Sequence, residues 1–156
     1  MQTDETPQPP LTVAFDLPST KIVDPTGPYL PSRAAASSVA GSGSIAADAP
    51  GVARWGYLLY AGRVIDASLV KQMEADPQHE QSKDMNYALG TMVADDNGQL
   101  IVGHLGGGAQ WAYTSLMLVW TNPGMAVALL VPKGEADYHA DLAFELHQLA
   151  AAASAS

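Results

Sequence analysis

Tyr87-Ala88-Leu89-Gly90-Thr91-Met92-Val93-Ala94-Asp95-Asp96-Asn97-Gly98-Gln99-Leu100-Ile101-Val102-Gly103-His104 reads as two short apolar segments, Tyr87 to Val93 and Gln99 to His104, around one polar turn. Asp95-Asp96-Asn97-Gly98 has the residue types that reverse a chain within a few positions, so the two segments must lie antiparallel. The pattern repeats downstream, where Trp111 to Thr121 and Met125 to Val131 flank Asn122-Pro123-Gly124. Four short segments with short turns predict an antiparallel meander of about four strands. A sheet of this kind needs cover.

The cover is legible on both sides of the meander. Upstream, Asp48 is a helix cap with Pro50 in the first turn and Val52, Trp55, Leu59 and Tyr60 at helical spacing, and Gly62 closes the helix in a left-handed conformation. A second helix follows Asp66, with Leu69, Val70 and Met73 on one face, and Asp76 to Asp84 reads as a polar loop. Downstream, a helix from about Asp137 places Leu142, Leu146 and Leu149, with Phe144 beside them, on its apolar side. The fold class expected is therefore α+β.

Composition limits the function classes. The chain has 156 residues, 47% hydrophobic and 15% charged, which suits one packed core. Sixteen acidic side chains against seven basic ones give a net charge of -9, which repels a phosphate backbone, so nucleic acid is not an expected partner. Cysteine is absent, which excludes disulfides, Cys-ligated zinc, iron-sulfur clusters and thiol catalysis. No apolar run approaches the ~20 residues of a membrane span. Met1 to Pro7 is acidic and polar, unlike a secretory signal, and localisation stays open. Organisation is read as a Pro-rich extended arm over 1–40, one domain over 41–153 and a short tail over 154–156.

The densest candidate for chemistry is Gly103-His104-Leu105-Gly106-Gly107-Gly108, at the end of one predicted strand. Glycines admit close approach of a ligand or a neighbouring backbone and free amide groups to face an oxyanion, and a histidine beside them can stabilise charge or pass a proton. The same residues also suit a plain glycine-rich hairpin. Read together, Gly41-Ser42-Gly43-Ser44-Ile45, Val52-Ala53-Arg54-Trp55, Gly62-Arg63-Val64-Ile65, Tyr87-Ala88-Leu89-Gly90 and Gly103-His104-Leu105-Gly106-Gly107 resemble the C-terminal half of the serine β-lactamase and penicillin-binding-protein-like hydrolases, nearest the esterase-like and class C-like branch. The order and spacing of five blocks carry the resemblance, over roughly residues 29 to 134.

The resemblance implies a partial β-lactamase-like fold and an acyl-transfer setting, in which a serine takes the acyl group of an ester, β-lactam or D-alanyl peptide and water releases it. It implies that His104-Leu105-Gly106 is the third motif of the family, that Gly107 gives one oxyanion donor, and that Leu105, Gly106, Gly108 and Trp111 line the substrate. No cofactor and no metal are implied. The Ser-x-x-Lys and Tyr-x-Asn motifs of the family should precede Gly41, yet Ser19 is followed by Ile22 and Tyr29 by Leu30-Pro31. The chain is therefore expected to be inactive alone.

Ser68-Leu69-Val70-Lys71 does fit Ser-x-x-Lys, and on a helix it would set hydroxyl and amine on adjacent turns. Eleven serines and four lysines give roughly 0.3 such matches by chance, so the pattern alone carries little weight. Tyr113-Thr114-Ser115 fits Tyr-x-Ser but follows the His-x-Gly block, and His139, Glu145 and His147 read as a solvated helix face. Two function classes stand: the C-terminal portion of a serine hydrolase, completed by a complementary N-terminal chain and acting on a small acyl substrate, or a non-catalytic binding or homo-oligomerisation module on that fold. Either leaves an apolar surface to be covered, with Trp55, Trp111, Trp120 and Met117 expected in it.

Overall fold

The computed structural model describes residues 40–43, 45–82, 85–107, 113–132 and 139–154. Residues 1–39 of the arm expected over 1–40, Gly108, Trp111 and the end of the tail lie outside them. A 3-10 turn, Ala40–Ser42, precedes helix α1 (Ala49–Tyr60) and helix α2 (Ala67–Glu74). Six strands follow, β1 (His79–Ser82), β2 (Met85–Tyr87), β3 (Met92–Asp96), β4 (Gln99–Gly107), β5 (Thr114–Trp120) and β6 (Met125–Val131), and helix α3 (His139–Ser154) closes the chain. The strands form one antiparallel sheet in chain order, β1-β2-β3-β4-β5-β6. The expected α+β meander is present, with six strands among the described residues rather than about four.

The two additional strands come from segments read otherwise. The polar loop over 76–84 contains β1, which pairs with β2 through His79↔Tyr87 and bulges between Glu80 and Ser82. The segment Tyr87 to Val93 is two strands: Ala88–Thr91 folds back on itself, with the Ala88 N–H bonded to the Thr91 carbonyl at 2.9 Å and Gly90 at φ +72°. Gly90 makes this reversal, a position at which a left-handed backbone favours glycine. Between β3 and β4 the reversal is as tight as the sequence implies. Asn97 (φ +54°) and Gly98 (φ +85°) occupy the two central positions, Asp96 pairs with Gln99, and the Asp95 carboxylate accepts the Gly98 N–H at 2.9 Å.

The chain divides into two compact units, one of residues 1–48, 106–115 and 130–137, the other of 49–105, 116–129 and 138–156. The second unit holds the core. Because side chains alternate along β5, Leu116, Leu118 and Trp120 point to one face and Met117 and Val119 to the other. The first face packs Ile101 and Ala143, with Phe144 beside them, so α3 covers it. The second face packs Val93 and Val102, with Val52 and Tyr60 of α1 beside them. With helices on both sides, β5 is buried almost throughout and reads as a continuous apolar run rather than an alternating one.

The end of α1 and the start of α2 follow from local chemistry. Gly62 (φ +68°) ends α1: its N–H bonds to the Leu59 carbonyl at 3.0 Å and the Arg63 N–H to the Leu58 carbonyl at 2.9 Å, a Schellman closure. Asp66 caps α2, its carboxylate accepting the Ser68 N–H at 2.7 Å. Within α2, Val70 is buried while Leu69 is exposed, contrary to the shared face expected of them.

The helix faces differ from the apolar spacing in a consistent way. On α1 the inward positions are Gly56 and Leu59, and Trp55 is 51% exposed. On α3 the inward positions are Ala143 and His147, while Leu142, Leu146 and Leu149 are 40%, 38% and 68% exposed. The sheet supplies the bulk: a Cβ on Gly56 would stand 2.3 Å from Met117 Sδ, and His147 stacks on the Trp120 ring at 4.0 Å with the planes 4° apart. Small or flat residues are what fit against such a surface. His147 is thus buried rather than solvated, and Trp120 and Met117 are core rather than waiting surface, which leaves Trp55 as the exposed member of that group among the described residues. No described helix is long and apolar enough to cross a membrane.

Candidate functional site

The glycine-rich block is strand rather than turn, because β4 continues through Gly107. Gly103 is buried and sits where no other residue fits: a Cβ there would lie 2.0 Å from the Met117 carbonyl oxygen. Its own carbonyl accepts the Thr91 hydroxyl at 3.1 Å. Since that hydroxyl proton is committed to a backbone carbonyl, the Tyr60 O–H must donate to Thr91 Oγ1, 2.6 Å away. Burial pushes the Tyr60 phenol above its ordinary value. Helix α1, the β2–β3 loop and β4 are fastened together at this point, one residue before His104.

His104 is exposed, and both of its ring nitrogens have partners. Nδ1 lies against the Leu105 carbonyl oxygen, and Nε2 is 2.8 Å from the Tyr87 hydroxyl. The two rings meet edge to face, 5.6 Å between centroids at 89°. Leu105 is half-buried against the Ile101, Leu116 and Trp120 cluster, which anchors the strand beneath the histidine. In the other unit, Gly106 and Gly107 are exposed. A Cβ on Gly106 would lie 2.5 Å from Ser115 Oγ, and one on Gly107, at φ +114°, would lie 2.3 Å from the Tyr113 carbonyl oxygen. Glycine at 107 lets the backbone of Tyr113 and Thr114 come close, and glycine at 106 leaves room for the Ser115 side chain.

Ser68 and Lys71 lie on α2 and are exposed. The Ser68 hydroxyl donates to the Asp66 carboxylate at 2.6 Å, which with the Ser68 N–H holds that carboxyl below its usual value. Glu74, one turn on, is pushed upward by partial burial, with Lys71 opposing the shift. Among the described residues no hydrogen bond joins Ser68 or Lys71 to His104. Thr114 of the Tyr-x-Ser pattern is buried in β5. The described residues hold no cluster of three metal-ligating side chains. Tyr87 was readable only as part of a motif block, because its bond to His104 spans seventeen residues and depends on the β2–β3–β4 register.

Among solved structures the chain is similar to a penicillin-binding protein from Bacillus halodurans, at 12% identity and a TM-score of 0.50, over 63% of this chain and 30% of that one. It is also similar to a D-stereospecific amidohydrolase from Streptomyces sp., at 22% identity and a TM-score of 0.47, over 57% of this chain and 27% of that one. No family model and no curated protein matches the chain. It spans less than a third of the length of either solved neighbour. At 12% identity the likeness to the penicillin-binding protein is one of architecture alone. The fold is similar to that of the part of the penicillin-binding protein which the chain covers.

Proposed function

We propose that this chain is the C-terminal portion of a serine hydrolase of the β-lactamase-like group, acting in acyl transfer to water from an ester, β-lactam or D-alanyl peptide. Its contribution is the His-x-Gly strand: His104 as the electrostatic or proton-handling group and Gly107 as an oxyanion donor, with Leu105 and Gly106 lining the acyl compound. The observation that carries this reading is His104 itself, exposed on β4 yet held at both ring nitrogens. A side chain that only solvated a surface would not need two partners. The nucleophile comes from a complementary N-terminal part, so the chain alone is inactive. Ser68 is the weaker candidate, its hydroxyl being engaged by Asp66.

The test is an intact-mass scan of the purified chain after a fluorophosphonate serine probe. The expected result is no adduct. A single stoichiometric adduct on Ser68 would make this a minimal serine hydrolase and overturn the division of labour proposed here. A second reading, a binding or oligomerisation module without chemistry, is favoured by the exposed Leu142, Leu146 and Leu149 on α3. Sedimentation showing a compact monomer at high micromolar concentration would remove its homo-oligomeric form.

A further inference from the structure

We infer that Tyr87 is the positioning residue for His104: by holding Nε2 it keeps Nδ1 against the Leu105 carbonyl, which makes the ring the Nδ1–H tautomer and leaves Nε2 as the nitrogen that exchanges a proton. The inference rests on the proposed acyl-transfer role of His104 for its purpose, but not for its geometry. The Leu105 carbonyl can only accept, so the Nδ1 facing it must carry a proton. In the neutral ring Nε2 is then the acceptor, and the Tyr87 O–H donates to it across 2.8 Å. When Nε2 takes a proton, the Tyr87 hydroxyl can rotate and accept instead, because a phenol both donates and accepts. Nδ1 keeps its bond throughout. One proton can therefore enter or leave at Nε2 with no movement of the ring.

The surroundings hold the pair in place. Tyr87 is half-buried, its position set by the pairing Tyr87↔Met92 and by that of Met92 with Gly103, the residue before His104. The edge-to-face ring contact limits rotation of the imidazole. The Tyr60 hydroxyl is turned to Thr91, which leaves Tyr87 as the phenol bonded to His104. Second partners of this kind select which histidine nitrogen is available for chemistry.

The experiment is long-range proton–nitrogen NMR of the imidazoles in the full 156-residue chain, at a pH where histidine is neutral. His104 is identified by loss of its signals in His104→Gln. The expected result is a single tautomer, protonated at Nδ1, and its loss to a tautomer mixture in Tyr87→Phe, which keeps the ring and removes the hydroxyl. A wild-type spectrum showing Nε2–H or a mixture overturns the inference, whether or not the variant folds. A pure Nδ1–H signal that persists in folded Tyr87→Phe also overturns it, since the Leu105 carbonyl would then suffice alone. The readout needs no turnover: failure of the acyl-transfer reading would leave the tautomer as stated, and failure of the tautomer would leave the serine-probe result unaffected.

Discussion

Gly103→Ala tests whether the close approach of β4 and β5 supports the candidate site. The added methyl carbon would stand 2.0 Å from the Met117 carbonyl oxygen, 2.9 Å from its carbon and 3.0 Å from Leu118 Cα, all backbone atoms that no rotamer change can move. Ordinary carbon contacts lie at about 3.5–4.0 Å, so the strands must part by about 1 Å or more. The other side offers no relief, because Gly103 is paired with Met92 of β3 and its carbonyl is held by Thr91. Overpacking of this kind costs about 1–3 kcal/mol, and a backbone conformation favouring glycine, here φ +157°, adds about 1–3 kcal/mol. The sum, about 2–6 kcal/mol, corresponds to a fall in Tm on the order of 5–20 °C for a chain of this size. Gly90→Ala separates the two contributions: φ is +72° there but the methyl would meet nothing within 4 Å, so only the conformational cost of about 1–2 kcal/mol applies. Thermal unfolding followed by circular dichroism measures both. A loss in Gly103→Ala no larger than that in Gly90→Ala would refute the close-approach argument.

Three further outcomes follow from the packing. Ala143→Leu, which forces bulk between α3 and the sheet, should cost about 1–3 kcal/mol in urea unfolding, whereas Leu146→Gln on the exposed side should change stability by less than about 0.5 kcal/mol; the reverse order would place the wrong face inward. Tyr60→Phe removes the bond to buried Thr91 and should cost about 1 kcal/mol by the same measurement, with no loss meaning that the Thr91 oxygen is satisfied otherwise. Glu74 has its folded-state pKa raised by burial, so its ionised form is disfavoured in the fold and its effect on stability worsens as pH rises from the unfolded value through the folded one. Glu74→Gln should therefore raise the urea midpoint at pH 7 relative to wild type and lose that advantage near pH 4, and a difference independent of pH would refute this.

The readable parts of the sequence were those fixed by local chemistry. Asn97-Gly98, Gly62 and Asp66 each determine a turn, a closure or a cap within a few residues, and each is found where the residue types place it. The strands β1 and β2 were missed because neither is apolar enough to announce itself: His79–Ser82 is polar, and its pairing is visible only through its partner. The length of β4 was missed for the opposite reason. Glycines that usually end a strand here extend it, since β5 comes too close for any side chain. His104 was legible from its motif; Tyr87 as its partner was not, because that contact is a product of register.

The helix faces show why apolar spacing and burial can part company. A stripe of leucines marks the side of α3 that gains most from leaving water, yet the sheet face already filled by Leu116, Leu118 and Trp120 takes Ala143, the flat ring of His147 and, at its side, Phe144. The same holds on α1, where Gly56 meets Met117 and Trp55 turns outward. Volume complementarity therefore decides the inward face on both helices, because protein interiors tolerate neither overlap nor voids. The apolar residues displaced by this choice do not lose their cost in water. Leu142, Leu146 and Leu149 follow the i, i+4, i+7 spacing of an interface stripe, and their exposure on α3 is a property of how the sheet is filled, not of a poorly formed helix.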